Sequence, residues 1–269
     1  MFTSRGTIAV NRPTNRQLKT FSGLRSVIAT LRGPDGCKWD RVQTHTSLRP
    51  YMVEEAAETV AALDEGDSEH LCEELGDLLI EILLHVQIAE ENGDFTVEDV
   101  IFGISDKLVR RHPHVFGDAV ADTAEAVVQQ WDELKRAERV GESALYGIPE
   151  TLPALALAQA VQRRAEKAGF GFDSREQAWE VLREELVELE SATIPAEQAD
   201  EIGDALFAIA NVARWYGADA EDALRLTTRG FSKNFRRLER IVDDRGVDLN
   251  SAGVEEKMAL WEEAKAEPA

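Results

Sequence analysis

Pro50-Tyr-Met-Val-Glu-Glu-Ala-Ala-Glu-Thr-Val-Ala-Ala-Leu63 is the stretch on which the fold turns. Tyr51, Met52, Ala56, Val60 and Leu63 recur at helical spacing, so it reads as an amphipathic helix. Gly66-Asp67-Ser68 breaks that helix and caps a second, about Glu69 to Glu91, which stops at Asn92-Gly93. Thr96 with Asp99 resembles a capping box and opens a third helix, which ends at Arg111 before His112-Pro113. Asp122 with Glu125 opens a fourth, to about Arg139. Nothing reads as a run of strands. The expected class is all-α, with short connections that favour an antiparallel bundle.

Internal repeats extend this pattern. Glu54-Glu55-Ala-Ala-Glu58 is echoed by Glu184-Glu185-Leu-Val-Glu188. Glu74-Leu-Gly-Asp77 is echoed by Glu201-Ile-Gly-Asp204, and Trp131-Asp-Glu-Leu-Lys135 by Trp261-Glu-Glu-Ala-Lys265. The offsets are 130, 127 and 130 residues, so order and spacing both recur. The sequence therefore predicts a tandem repeat of one helical module, 16–143 and 144–269, behind a loose tail at 1–15. Gly141 to Pro153, with two Gly and two Pro, is the natural junction.

Composition narrows the function. The 269 residues carry 30 Lys+Arg against 51 Asp+Glu, a formal charge of −21. Nucleic-acid phosphates and anionic membranes both call for a basic surface, so neither is an expected partner. The longest uncharged stretch, Thr151 to Gln162, is well short of the ~18 apolar residues of a spanning helix. Met1 to Lys19 shows no apolar targeting core, and Cys37 and Cys72 make no disulfide framework or CxxC. A cytoplasmic protein is expected.

The informative acids are pairs. Glu55 and Glu58 are three apart on one helix, and Glu74 and Asp77 three apart on the next, so two facing helices could aim four carboxylates at one point. Such hard oxygen clusters suit Mg²⁺ or Mn²⁺. The second copy offers Glu185, Glu188, Glu201 and Asp204, with Glu184 nearby. A solvated acidic face or salt bridges to Lys and Arg would also account for such pairs. Against a solvated face, Asp77 sits in Leu-Gly-Asp-Leu-Leu-Ile-Glu-Ile-Leu-Leu84, apolar nearly all round, where an unpartnered carboxylate is costly. Glu81, one turn past Asp77, carries little weight because its counterpart is Ala208. Di-iron Glu-x-x-His, HEXXH, Walker A and GxGxxG patterns are all absent.

Glu-Glu-x-x-Glu at 54–58 followed by Glu-x-x-Asp at 74–77 in a helical module resembles the signature of the MazG nucleoside triphosphate pyrophosphohydrolases. Gly36-Cys-Lys-Trp-Asp40 with Gln43-Thr44 resembles the family's opening motif, Ser105 to Phe116 its basic motif, and Trp131-x-x-x-Lys135 its closing one. The likeness runs from about Leu18 to Lys265. It implies hydrolysis of an NTP to NMP and pyrophosphate in nucleotide-pool house-cleaning, with a possible link to the stringent response. It also implies Mg²⁺, with Mn²⁺ as a substitute, and a homodimer. Glu55, Glu58, Glu74 and Asp77 are then the metal ligands, and Glu54 orients or deprotonates the water. Lys107, Arg110 and Arg111 hold the phosphates, Lys38 and Lys135 are further phosphate contacts, and Trp39 and Trp131 border the nucleotide. Trp261 and Lys265 correspond in the second copy. That copy keeps its acids, but its basic motif has drifted: Gly230 stands where Lys is expected and Asn234 where Arg is expected. Its opening motif is replaced by Gly169-Phe-Gly-Phe-Asp173. The first module is therefore the expected main catalyst. The alternative is a helical nucleotide-binding or interaction module without turnover.

Overall fold

The computed structural model describes residues 12–138 and 141–266; for Arg136 and Ala137 it describes the backbone only. Residues 1–11 of the expected tail lie outside the described residues. The described chain is helical throughout, with no strand among the described residues. It divides into two compact units, Met1–Glu138 and Arg139–Ala269. No described helix is long and apolar enough to cross a membrane. Cys37 and Cys72 are free thiols.

Unit 1 opens with a 3₁₀ turn at Gln17–Lys19, then α1 (Phe21–Arg32), α2 (Lys38–Arg41), α3 (His45–Glu65), α4 (Ser68–Asn92), α5 (Val97–Arg111), α6 (Pro113–Phe116) and α7 (Ala124–Glu138). α3 starts five residues before Pro50. Thr44 caps it, with Ser47 completing a capping box, so Pro50 sits sixth in the helix, where it leaves the Thr46 carbonyl without its i+4 amide donor. α3 ends at Gly66 and α4 at Gly93, both left-handed, with φ of 69° and 77°. Asp67 caps α4 through the Glu69 and His70 amides. The Thr96–Asp99 capping box forms as expected. α7 is capped by Thr123, whose hydroxyl accepts from the Ala126 amide, rather than by Asp122.

The two-residue turn after α3 makes α3 and α4 a tight hairpin. Its far end packs with α1 and the start of α5 through Ile28, Leu48, Leu83, Leu84, Val86, Ile88 and Val97. Arg32 of α1, with its side chain 5% exposed, holds the segment before α3 in place: it donates to the Asp40 carbonyl at 2.5 Å and pairs with Glu91 of α4 at 2.7 Å.

Unit 2 contains α8 (Ala154–Lys167), α9 (Arg175–Ser191), α10 (Pro195–Trp215), α11 (Ala220–Arg245) and α12 (Val254–Ala266). α9 and α10 are the counterparts of α3 and α4, meeting through Ala178, Leu182, Ala208 and Val212. A second cluster, Leu238, Val242, Leu260 and Ala264, joins α11 to α12. Gln159 of α8, wholly buried, ties the turn between α10 and α11. Its amide donates to the Ala210 and Ala218 carbonyls at 3.0 and 3.1 Å and accepts from the Ala220 amide at 3.1 Å.

Candidate metal centre

In unit 1 the α3–α4 hairpin places Glu55 and Glu58 opposite Glu74. One carboxylate oxygen from each lies within 4.8 Å of the other two. Opposite ligands of Mg²⁺ stand roughly 4.2 Å apart, twice its ~2.1 Å bond, so the trio has the scale of a cation site. Asp77 follows one turn along α4. It lies outside the trio but near enough for its charge to act on Glu55. Thr59, buried between the helices, fixes their register at this level: its hydroxyl donates to the Glu55 carbonyl at 2.8 Å, with the Glu74 carbonyl at 3.4 Å.

The electrostatics show a site short of positive charge. Burial, then the charges of Glu58, Asp77, Glu74 and Glu81, push the Glu55 carboxyl above its ordinary value. Glu74 is 8% exposed, and its Oε2 is buried without a hydrogen-bond partner. A divalent cation among these oxygens would satisfy both, and the donor set, all hard oxygen, fits Mg²⁺ or Mn²⁺.

His70 completes the geometry. Its Nε2 donates to Glu74 Oε1 at 2.9 Å and its Nδ1 to Glu65 Oε2 at 3.0 Å. Both ring nitrogens can donate only in the imidazolium. The Glu65 hydrogen bond is the largest of the effects that raise the His70 pKa. His70 therefore orients Glu74, as supporting partners of metal ligands do. Its contribution to stability is complete below the unfolded pKa, about 6.5, and is lost as pH rises through the folded one. In an NMR titration of the imidazole, the midpoint should lie above that of an unfolded His and fall back in Glu65→Gln.

Unit 2 repeats the arrangement with a different trio: Glu185, Glu201 and Asp204 meet within 4.8 Å. Glu188, exposed, lies outside that trio but acts on both Glu185 and Glu201 by charge. Burial first, then neighbouring acids, raises the Glu185 and Glu201 pKa values, and Glu201 Oε2 is buried without a partner.

The expected substrate contacts are distributed differently. Glu54 is exposed on α3 beside Glu55. Arg110 and Arg111 reach the end of α7, pairing with Glu138 at 2.7 and 2.5 Å, and Arg110 also with Asp106. Lys107 is exposed on the same helix. Lys38 opens α2, and Trp39, 49% exposed, meets Tyr51 edge-on at 5.8 Å. Lys135 lies 3.7 Å over the Trp131 ring. Trp261 packs on the α11–α12 core and against Phe231, and Lys265 pairs with Glu262 at 2.7 Å.

Two residues near the centre escape the acid-pair pattern. The signal for His70 is its four-residue spacing to Glu74. Glu81, also 8% exposed, has a buried, unpartnered Oε2 and a pKa raised by burial.

Two copies of a helical hairpin with a carboxylate cluster between its helices define a class of all-α module suited to a divalent cation. Within that class, the profile of the MazG nucleotide pyrophosphohydrolase domain matches residues 43–116. The chain is 41% identical over 252 residues to the nucleoside triphosphate pyrophosphohydrolase/pyrophosphatase MazG of Thermotoga maritima, covering 91% of this chain and 95% of that one. It is 38% identical over 251 residues to the nucleoside triphosphate pyrophosphohydrolase of Escherichia coli K12, covering 90% and 95%. It is 45% identical over 251 residues to the uncharacterized protein YabN of Bacillus subtilis, covering 91% of this chain and 51% of that one. The chain belongs to the MazG family.

Proposed function

We propose that this chain hydrolyses nucleoside triphosphates to nucleoside monophosphate and pyrophosphate, clearing unwanted nucleotides from the pool. The observation that carries the reading is the convergence of Glu55, Glu58 and Glu74 within 4.8 Å, with a buried oxygen of Glu74 left unpartnered. Mg²⁺, or Mn²⁺ in its place, would be held by these three and Asp77, and in unit 2 by Glu185, Glu201 and Asp204 with Glu188. When bound, the metal supplies charge neutralisation for the triphosphate and an acidified water. Glu54, exposed beside Glu55, orients or deprotonates the attacking water. Lys107, Arg110 and Arg111 stabilise charge on the phosphates, and binding requires Arg110 and Arg111 to exchange Glu138 for substrate. Lys38 and Lys135 add phosphate contacts, and Trp39 and Trp131 border the nucleotide. Trp261 and Lys265 are the corresponding contacts of the second copy.

Each unit is read as one MazG module, 16–143 and 144–269. Large apolar side chains stand exposed on α5 and α6, among them Phe102 at 72% and Phe116 at 63%. A surface of this size is seldom left bare, which supports a homodimer, and the cytoplasm is its proposed location.

The test is product analysis. Mixed NTPs with Mg²⁺ should yield NMP and pyrophosphate; NDP with phosphate overturns the reading, and no product favours a binding module. Unit 1, which keeps the basic and opening motifs, is the main catalyst. Asp77→Ala should therefore remove most pyrophosphate release and Asp204→Ala little. The reverse pattern moves the activity to unit 2.

A further inference from the structure

The polar stripe of α4 does not end at the metal centre. Glu74, Asp77, Glu81 and His85 follow one another at three- and four-residue spacing, so they share one face of the helix. Glu81 and His85 are one turn apart, a spacing that puts Cβ atoms roughly 5–6 Å from each other. Both carry an orphan: Glu81 Oε2 and His85 Nε2 are each buried with no hydrogen-bond partner among the described residues. Glu81 is more than nine-tenths buried. Buried polar atoms are seldom left unpaired, and two within one helical turn ask for a common ligand.

The other side of His85 shows what kind. Its Nδ1 lies 2.7 Å from Nδ1 of His45, the first residue of α3. The ring planes are 10° apart and the centroids 5.0 Å. With the nitrogens at 2.7 Å, the rings meet edge to edge in one plane, as an N–H···N hydrogen bond requires. When His85 donates Nδ1–H to His45, its Nε2 keeps a lone pair pointing toward the buried side. A ring nitrogen fixed by a hydrogen bond on the opposite edge is the usual state of a metal-ligating histidine. Burial, reinforced by His45, lowers the His85 pKa, which keeps the ring neutral and able to ligate. Among the described residues neither Glu81 nor His85 makes an ion pair, and the cations of α1 are engaged elsewhere, Arg25 with Glu90 and Glu98 and Arg32 with Glu91. Across the α3–α4 hairpin stand the acids Glu55 and Glu58. Unit 2 is an internal control. The residues following Asp204 at the same spacing are Ala208 and Val212, buried in apolar packing, and Arg175 opens α9 where His45 opens α3.

We propose that Glu81 and His85 form a second cation site, peculiar to unit 1, that takes a divalent first-row transition ion such as Zn²⁺ or Co²⁺ rather than Mg²⁺. One nitrogen and one oxygen donor favour ions that accept imidazole, whereas Mg²⁺ prefers oxygen throughout. The charge of Glu81 reaches Glu55, so the two centres are neighbours, but the second does not require nucleotide turnover. It requires only that the stripe be filled.

The experiment titrates the metal-stripped full chain with Co²⁺ in saturating Mg²⁺, following visible absorption and heat. Mg²⁺ occupies the all-oxygen clusters, and one Co²⁺ per chain should still bind with an absorption band. His85→Asn and Glu81→Gln should each weaken that binding at least tenfold, and Asp204→Asn should leave it unchanged. His45→Asn, at an exposed position, should weaken it about 10- to 100-fold by releasing the ring tautomer, and serves where the buried variants fold poorly. Full displacement of Co²⁺ by Mg²⁺, or an affinity indifferent to His85 and His45, overturns the proposal.

Discussion

Glu55→Gln is expected to abolish pyrophosphate release by unit 1 and at the same time to make the metal-free chain more stable. The two effects share one cause. Burial and four neighbouring acids raise the Glu55 pKa, so the folded state holds its proton more tightly than the unfolded state does. A carboxyl of this kind contributes stability below its unfolded pKa and loses it as pH rises through the folded one, so at neutral pH the ionised cluster opposes folding. The amide removes one charge from that repulsion, and the melting temperature measured in EDTA should rise. Function moves the other way. Loss of an anionic ligand weakens the cation site, and at several kcal/mol of charge stabilisation the rate should fall by about 10³-fold or more. A ligand at 100 times its Kd adds about 2.7 kcal/mol to the folded state. Mn²⁺ should therefore raise the melting temperature of the parent chain, and that of Glu55→Gln by clearly less. A variant that is less stable without metal and still stabilised in full by Mn²⁺ would falsify the cluster as a metal centre.

Gln159→Leu should be the most damaging single change to the scaffold. One buried amide satisfies three backbone groups: the carbonyls of Ala210 and Ala218 and the amide of Ala220. Ala220 opens α11, where no intrahelical acceptor exists for its N–H. Leucine has the volume but no partner for any of them. Ala220 is buried, so its unpaired amide costs roughly 1–3 kcal/mol, whereas Ala218 is exposed and its carbonyl can turn to water; a loss of about 2–3 kcal/mol is expected, a large share of a domain's ~5–15 kcal/mol. Calorimetry should resolve an early transition from unit 2 with that of unit 1 unmoved, and a single unshifted transition would show that Gln159 bears no such weight. Gln159→Glu should recover less than half the loss, because a carboxylate cannot donate to the two carbonyls.

Much of this architecture is legible in the chain because it is local. Thr96 with Asp99, Asp67 before α4 and the glycines at 66 and 93 each act within a turn of their own position, and all stand where the sequence puts them. The start of α3 was hidden because Pro50 imitates a helix-opening proline, whereas the cap is Thr44 with Ser47. Thr123 was masked by Asp122, which offers the same chemistry one residue earlier. The acid pairs are visible as helical spacing, but which three of the four meet within 4.8 Å depends on the register of two helices, which in unit 1 Thr59 and the core set. Repeat symmetry helped and misled: it exposed the second cluster and hid Glu81, whose counterpart is an alanine. His70 belongs to neither pattern, since it supports a carboxylate rather than joining the acids.

The metal-side acids of each unit come from one uninterrupted hairpin, residues 55–77 in the first and 185–204 in the second. A centre encoded this compactly forms through contacts short in sequence, which fold fast. It also travels as a cassette: one duplication copies every acid of the cluster at once, with the turn that sets their register. Each copy then carries its own set of acids, so selection can hold one while the other drifts in its basic and aromatic surroundings. The unequal motifs of the two units are the record that such independence would leave.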